Sequence, residues 1–346
     1  MGTGNIINYL EAKAMKKTLS ALFFLTAILV LSACGSDSSS GSKDEVVIGY
    51  FPNIDHVPAM VAKEKQYFEE AFGEDKEVTY KTFPDGGAFM TALKTGDIDA
   101  GFVGPGPVMN NYANGADVKI LAGASSGGTV VVASEQSGIE SLEDLGDHTF
   151  ITPGVGCTHD VQMETFLKEQ GITSARIGGT LKHVTGNPAQ YQAMFESGKV
   201  DLAAVPEPWA STLVANGAKI IVDTDEIAYG TTLPNTVLVT SGKLIEEQSE
   251  LVDQLTAAHE KSVAFINENP EEAQTIAVDS IEEITNQRMD ESIIASAWER
   301  VSYTTEVNAE VIQAFADSSH DLQFLKEKPE FDELVVPQGT EVGSAQ

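Results

Sequence analysis

Cys157, Thr158 and His159 stand together in Gly154-Val155-Gly156-Cys157-Thr158-His159-Asp160. A thiol at a helix start beside an imidazole has the makings of a nucleophile, because a helix N-terminus lowers a thiol's pKa. No neighbouring cysteine, paired base or cofactor motif accompanies it. No catalytic residue is assigned, and Cys157 is read as a small side chain where backbone amides approach a ligand. His56 could turn an imidazole N–H towards an anionic oxygen, or cap the helix that follows Pro58; His159 is read as a surface residue at a helix start. Asn53 carries amide donors and an acceptor, against simple turn chemistry as its alternative. Glu207 is held stiffly between Pro206 and Pro208, so its carboxylate points in a set direction. It could bind an ammonium or hold a cleft closed through a hydrogen bond. Trp209 could cover an alkyl chain or belong to the core.

These residues fall in loops that follow predicted strands. Val46–Phe51 is a short apolar run bounded by Pro52, and a helix is predicted from Pro58 to about Glu70. Strands at 78–83, 98–103 and 119–124 alternate with helices, the mark of an α/β body with a mostly parallel sheet. The pattern restarts with strands at 149–151, 181–184 and 200–205 and a helix capped by Thr158. Ala92-Leu93-Lys94-Thr95-Gly96-Asp97-Ile98-Asp99-Ala100-Gly101-Phe102-Val103 matches Met194-Phe195-Glu196-Ser197-Gly198-Lys199-Val200-Asp201-Leu202-Ala203-Ala204-Val205. Each reads as a helix end, a glycine C-cap and a small-residue strand, so two similar lobes are expected. A strand at 237–240 returns to the first lobe, and consecutive helices run from Ser249 to about Leu325.

In such sheets ligands gather at the carboxyl ends of strands. That singles out Asn53, His56, Gly104, Pro105, Ser125, Ser126, Cys157, Thr158, Asn187, Glu207 and Trp209 as candidate ligand-binding residues. Arginine occurs only at 176, 288 and 300, outside these loops, so a guanidinium clamp is not expected. An anion would rest on helix N-termini near Val57, Gly86, Pro107 and Thr158, with Ser125, Ser126 and Thr158 hydroxyls as further donors.

The ends and the composition give an address. Lys16 and Lys17 precede Leu19–Leu31, an apolar stretch too short to span a bilayer and the right length for an export signal. Leu31-Ser32-Ala33-Cys34 looks like a bacterial lipobox with Cys34 as the acylated residue. Met15 is the more natural start. Gly35–Lys43 is a Gly/Ser-rich spacer. Once Cys34 is acylated, Cys157 has no disulfide partner. The formal charge of −31 argues against nucleic acid or anionic lipid as a partner. About 300 remaining residues suggest two lobes rather than one core.

With these features the chain resembles the periplasmic-binding-protein-like solute receptors of ABC importers, and is most similar to the branch that binds nitrate, taurine and aliphatic sulfonates. The resemblance rests on Gly49-Tyr50-Phe51-Pro52-Asn53-Ile54-Asp55-His56-Val57-Pro58-Ala59, the Leu93–Ala100 run, the Gly154–Asp160 turn and Pro206-Glu207-Pro208-Trp209, over roughly residues 44–330. It implies an α/β, two-lobed (type II) fold with mixed, mostly parallel sheets flanked by helices and a cleft between the lobes. The expected organisation is an extension and signal peptide at 1–34, a linker at 35–43, lobe 1 at 44–132, lobe 2 at 133–233, lobe 1 again at 234–335 and a disordered tail at 336–346. The resemblance also implies a receptor on the extracytoplasmic face of the membrane that captures a small sulfonate-like anion, taurine or an alkanesulfonate, and passes it to permease and ATPase subunits. It would be monomeric, with no cofactor and no metal. Two other readings stay open: the same fold binding an amine or thiamine-pyrimidine precursor, or an enzyme of the pyrimidine-precursor synthase or menaquinone-pathway type. The lipobox counts against the enzymes, which are cytosolic.

Overall fold

The computed structural model describes residues 45–337 apart from 75, 329 and 332. The export signal, Cys34, the spacer and the tail beyond 337 lie outside the described residues. No described helix is long and apolar enough to cross a membrane.

The first strands form because short, apolar, β-branched runs are bounded by Pro and Gly. β1 (Glu45–Tyr50) is buried from Val46 on. It is followed by α1 (Val57–Glu64) and α2 (Tyr67–Phe72). A single helix was expected here. It is broken at Gln66, whose left-handed backbone (φ 56) turns the chain between the two pieces. Then come β2 (Glu77–Thr82), α3 (Gly86–Thr95), β3 (Ala100–Val103), α4 (Pro105–Ala113) and β4 (Lys119–Gly127). Asp85 caps α3, its carboxylate accepting the Ala88 N–H at 2.9 Å.

The chain then leaves the first sheet. Gly127 and Gly128 both have φ near +80°, a conformation that costs a residue with a Cβ, and β5 (Thr129–Ala133) begins the second sheet. This crossing precedes the expected boundary after residue 132, because β5 pairs with strands of the second sheet along its whole length. The second lobe continues with β6 (Thr149–Thr152), α5 (Thr158–Glu169), β7 (Lys182–Thr185), α6 (Tyr191–Glu196), β8 (Leu202–Pro206), α7 (Trp209–Ala215) and β9 (Lys219–Val222). β10 (Pro234–Thr240) returns to the first sheet, and α8 (Gly242–Glu247), α9 (Ser249–Glu268), α10 (Pro270–Thr285), α11 (Glu291–Trp298), β11 (Val301–Tyr303) and α12 (Ala309–Asp321) complete it.

The sheet orders are β11-β4-β10-β3-β1-β2 and β7-β6-β8-β5-β9. Both sheets are mixed. β1, β2 and β3 pair in parallel, as do β6, β7 and β8, whereas the strands beside the crossings, β4, β5 and β10, pair antiparallel. The equivalent parallel triads carry the two matching helix–strand segments. Strands β5, β9 and β11 were not expected. β5 is a fully buried apolar run directly behind a Gly-Gly turn, and β11 is only three residues long inside a helical region. Ser125 and Ser126, expected in a loop, lie at the end of β4, paired to β10 and β11.

Candidate functional site

The carboxyl ends of the parallel strands face each other across the two lobes and enclose a cavity of about 80 Å³. From the first lobe come Phe51, Asn53, Asp55 and His56 after β1, Phe83 to Gly86 after β2, Val103, Gly104 and Pro107 after β3, and Asn235 and Thr236 on β10. From the second come Pro153, Cys157, Thr158 and His159 after β6, Asn187 and Pro188 after β7, and Pro206 and Trp209 after β8. Of the candidate residues, Asn53, His56, Gly104, Cys157, Thr158, Asn187 and Trp209 therefore line one space. Pro105, Ser125, Ser126 and Glu207 do not. Pro105 is the buried first residue of α4, and the two serines sit within β4.

The lobes are closed on one another. The Trp209 indole Nε1 donates to the Pro52 carbonyl at 3.2 Å, and the Ile54 N–H donates to the Glu207 carbonyl at 3.1 Å. Asn110 Nδ2 donates to the Gly156 carbonyl at 3.0 Å. Thr158 is not the cap of α5: Cys157 holds that position, and the Thr158 hydroxyl instead accepts the Gly106 N–H at 3.2 Å across the cleft. This approach needs glycine. A Cβ on Gly104 would fall 2.3 Å from Thr158 Oγ1, and one on Gly106 would fall 2.8 Å from the Gly156 carbonyl oxygen.

No lysine or arginine lines the cavity. Asp55, which sequence reasoning passed over, is 1% exposed, and its Oδ1 has no hydrogen-bond partner. Burial holds its carboxyl well above the usual carboxylate range, the nearby Glu207 adds to this, and a hydrogen bond with the Asn235 side chain opposes it. His56 Nδ1, His159 Nε2 and Asn235 Oδ1 are likewise buried and unpartnered. His159 was expected on the surface; the residue is half-buried, its ring Nε2 is buried, and it belongs to the cavity lining. Burial lowers both imidazoles to about 3, so each is neutral and offers one N–H and one lone pair. Buried polar atoms are seldom left without partners; these four belong to residues that line the cavity, and Asp55 Oδ1 lies towards Gly128, where an added Cβ would fall 2.7 Å from it. A polar chain runs behind them: Asn235 Nδ2 donates to Thr129 Oγ1 at 3.0 Å, and Thr129 Oγ1 donates to Gln162 Oε1 at 2.7 Å.

Glu207 is absent from the wall because its carboxylate is spent elsewhere. Oε2 accepts the Ser211 N–H at 2.9 Å, and Oε1 accepts the Ser211 hydroxyl at 2.9 Å. Oε1 also accepts from Arg300 Nη1 at 3.2 Å. Arg300 reaches from beside β11 and chelates Asp223 as well, at 2.7 and 3.2 Å. The arginine missing from the loops thus works at the junction of the lobes.

Cys157 sits over a buried polar floor. Burial pushes its thiol up to about 12, with the Asp160 charge adding to this, so no thiolate is present near neutrality. Asp160, Glu164 and His183 bring one potential ligand atom each within 4.8 Å of one another. Glu164 is engaged by Arg176 at 2.8 Å and by Ser174 at 2.9 Å, and His183 Nε2 is bonded to Thr152 Oγ1 at 2.7 Å.

A family model described as "NMT1-like family" matches residues 39–279. The chain belongs to the NMT1-like family. Among relatives, this NMT1-like chain is 25% identical over 321 residues to a putative aliphatic sulfonates-binding protein of Bacillus subtilis (strain 168), covering 90% of each chain. Among solved structures it is similar to the alkanesulfonate-binding protein SsuA from Xanthomonas axonopodis pv. citri bound to MOPS (TM-score 0.73, 19% identity, 86% of this chain and 99% of that one). It is also similar to the periplasmic nitrate-binding protein NrtA from Synechocystis PCC 6803 (TM-score 0.67, 16% identity, 87% and 84%). The fold is the expected periplasmic-binding-protein-like one.

Proposed function

We propose that this NMT1-like chain is the solute receptor of an ABC importer, and that it takes a taurine-like aminosulfonate between its lobes. The observation that carries the reading is the set of unpartnered buried atoms on residues that line the cavity. Asp55 Oδ1 and Asn235 Oδ1 are acceptors, so a ligand that satisfies them brings N–H donors. An ammonium does so and also offsets the Asp55 charge. The other end of the ligand meets neutral imidazole N–H groups and the first turns of α3, α4 and α5, whose positive dipole ends border the cavity. An oxyanion suits that end. The relatives that bind sulfonates and nitrate support the class. Lipid attachment at Cys34 and hand-over to a permease complete the proposal; mass spectrometry of the membrane-extracted protein, showing or lacking an acylated Cys34, tests the anchor.

Isothermal titration with taurine, ethanesulfonate, ethylamine and nitrate tests the ligand class. Taurine is expected to bind at least tenfold more tightly than ethanesulfonate, and Asp55→Asn to remove that preference. Failure of every sulfonate to bind would sink the reading. Binding of an aminopyrimidine in their place would favour the amine class, for which the acid and the Phe51, Phe83 and Trp209 rings also provide.

A further inference from the structure

Beside the cavity lies a second, larger space of about 360 Å³. The two share Pro52, Phe83, Pro84 and Asn187 as walls, so they are two chambers of one cleft. We propose that the outer chamber is a subsite for a ligand tail, and that the tail is uncharged and hydrogen-bonding, such as a hydroxylated or amidated substituent on the head held within.

Three observations carry this. The inner chamber is small, about the room of a few waters, and matches a compact head rather than a whole extended solute. The outer chamber is lined by Thr82, Asn187, Gln190, Thr285 and Gln287 beside Phe83, prolines and aliphatic groups, with no acid and no base. In a chain with 52 acidic residues and a net charge of −31, such a lining stands out from the acidic surface around it. It offers a carboxylate tail no cation and an ammonium tail no anion. The amides and hydroxyls serve a neutral polar tail, and the apolar walls serve its carbon skeleton. Asn187 stands at the boundary of the chambers. Its Oδ1 accepts the Ala189 N–H at 3.1 Å, which leaves its amide N–H groups as the donors it can turn to a ligand. Both lobes build the chamber, and Gln287 Nε2 reaches across it to the Ala189 carbonyl at 3.3 Å. A tail there touches both lobes and so favours closure.

This inference rests on the receptor reading above but not on the identity of the head. Titration of the purified protein with taurine and with N,N-bis(2-hydroxyethyl)taurine compares one head with and without a neutral tail. The tailed ligand is expected to bind at least tenfold more tightly. Gln190→Trp, at an exposed position, is expected to erase that advantage and leave the taurine Kd within twofold. Equal affinities in the unaltered protein, or equal losses for both ligands in the variant, would overturn the subsite. If neither aminosulfonate binds, the head assignment fails by itself. The subsite is then judged on the solute released from natively purified protein and weighed. A solute with an uncharged polar substituent supports it, and one no larger than the head chamber overturns it.

Discussion

Asp55 and Glu207 are both fully buried acids at the junction of the lobes, close enough for the Glu207 charge to be felt at Asp55, yet they do opposite work. Glu207 is saturated: a serine N–H, a serine hydroxyl and Arg300 take up its lone pairs. Asp55 retains an unpartnered oxygen and borders the cavity. Burial raises the pKa of both, but only Glu207 has an arginine to oppose it. What separates Asp55 from Glu207 is therefore a missing partner rather than burial. The satisfied acid holds the lobes together, and the unsatisfied one costs stability that a ligand can return.

The contrast is sharpest in Glu207→Ala, which leaves Arg300 and Asp223 without their third partner. We expect a loss of about 3–5 kcal/mol in urea denaturation, the cost typical of breaking a buried ion pair. A loss under about 1 kcal/mol would mean that the pair is not structural. Asp55→Asn is expected to do the reverse in ligand-free protein. Because the folded pKa of Asp55 is raised, holding the carboxylate ionised costs stability, and that cost grows as pH rises above the ordinary carboxylate range. The variant should gain thermal stability, more at pH 8 than at pH 4.5, while losing affinity for taurine by about 100-fold, roughly the worth of a charge-assisted contact. A fall in Tm at pH 8 would place Asp55 with Glu207 as a structural acid.

Gly104→Ala separates closure from folding. Its backbone is extended and unstrained (φ −66), so the added methyl meets chiefly Thr158 across the cleft, at 2.3 Å, with the Asn235 carbonyl oxygen next at 3.3 Å. Affinity should fall about tenfold with Tm nearly unchanged; an equal affinity would show that the lobes close differently with ligand bound. The smallest effect concerns the histidines. His56 and His159 titrate near 3 in the folded protein against about 6.5 in an unfolded chain. Below pH 6.5 the unfolded state takes up protons first, so stability should decline as pH falls from 6.5 towards 4. His56→Gln should flatten part of that slope in a series of thermal melts.

Much of this was legible in the residues themselves. The strand–helix alternation, the paired Gly96 and Gly198 segments, and the loops after the parallel strands correspond to the observed lobes and to seven of the eleven candidate residues at the cavity, Asn53 and Trp209 among them. Three strands escaped notice for local reasons. β5 is a buried run that periodicity cannot assign, β9 is short, and β11 is three residues within a helical stretch. Ser125 and Ser126 were misplaced because β4 continues past the point where its apolar residues end. Asp55 lay inside the loop already singled out, between Asn53 and His56, but nothing local distinguishes a buried acid from a turn acid.

By itself the sequence determined the types and order of the elements and which loops stand at strand ends, because apolar period and Gly/Pro punctuation act over a few neighbouring residues. Only the tertiary structure decided which acid is free. Arg300 lies 93 residues from Glu207, and Thr158 lies 52 from Gly106. Satisfaction of a buried polar group depends on partners that the fold alone brings within hydrogen-bond reach, and Asp55 is a candidate ligand contact because the fold brings its Oδ1 none.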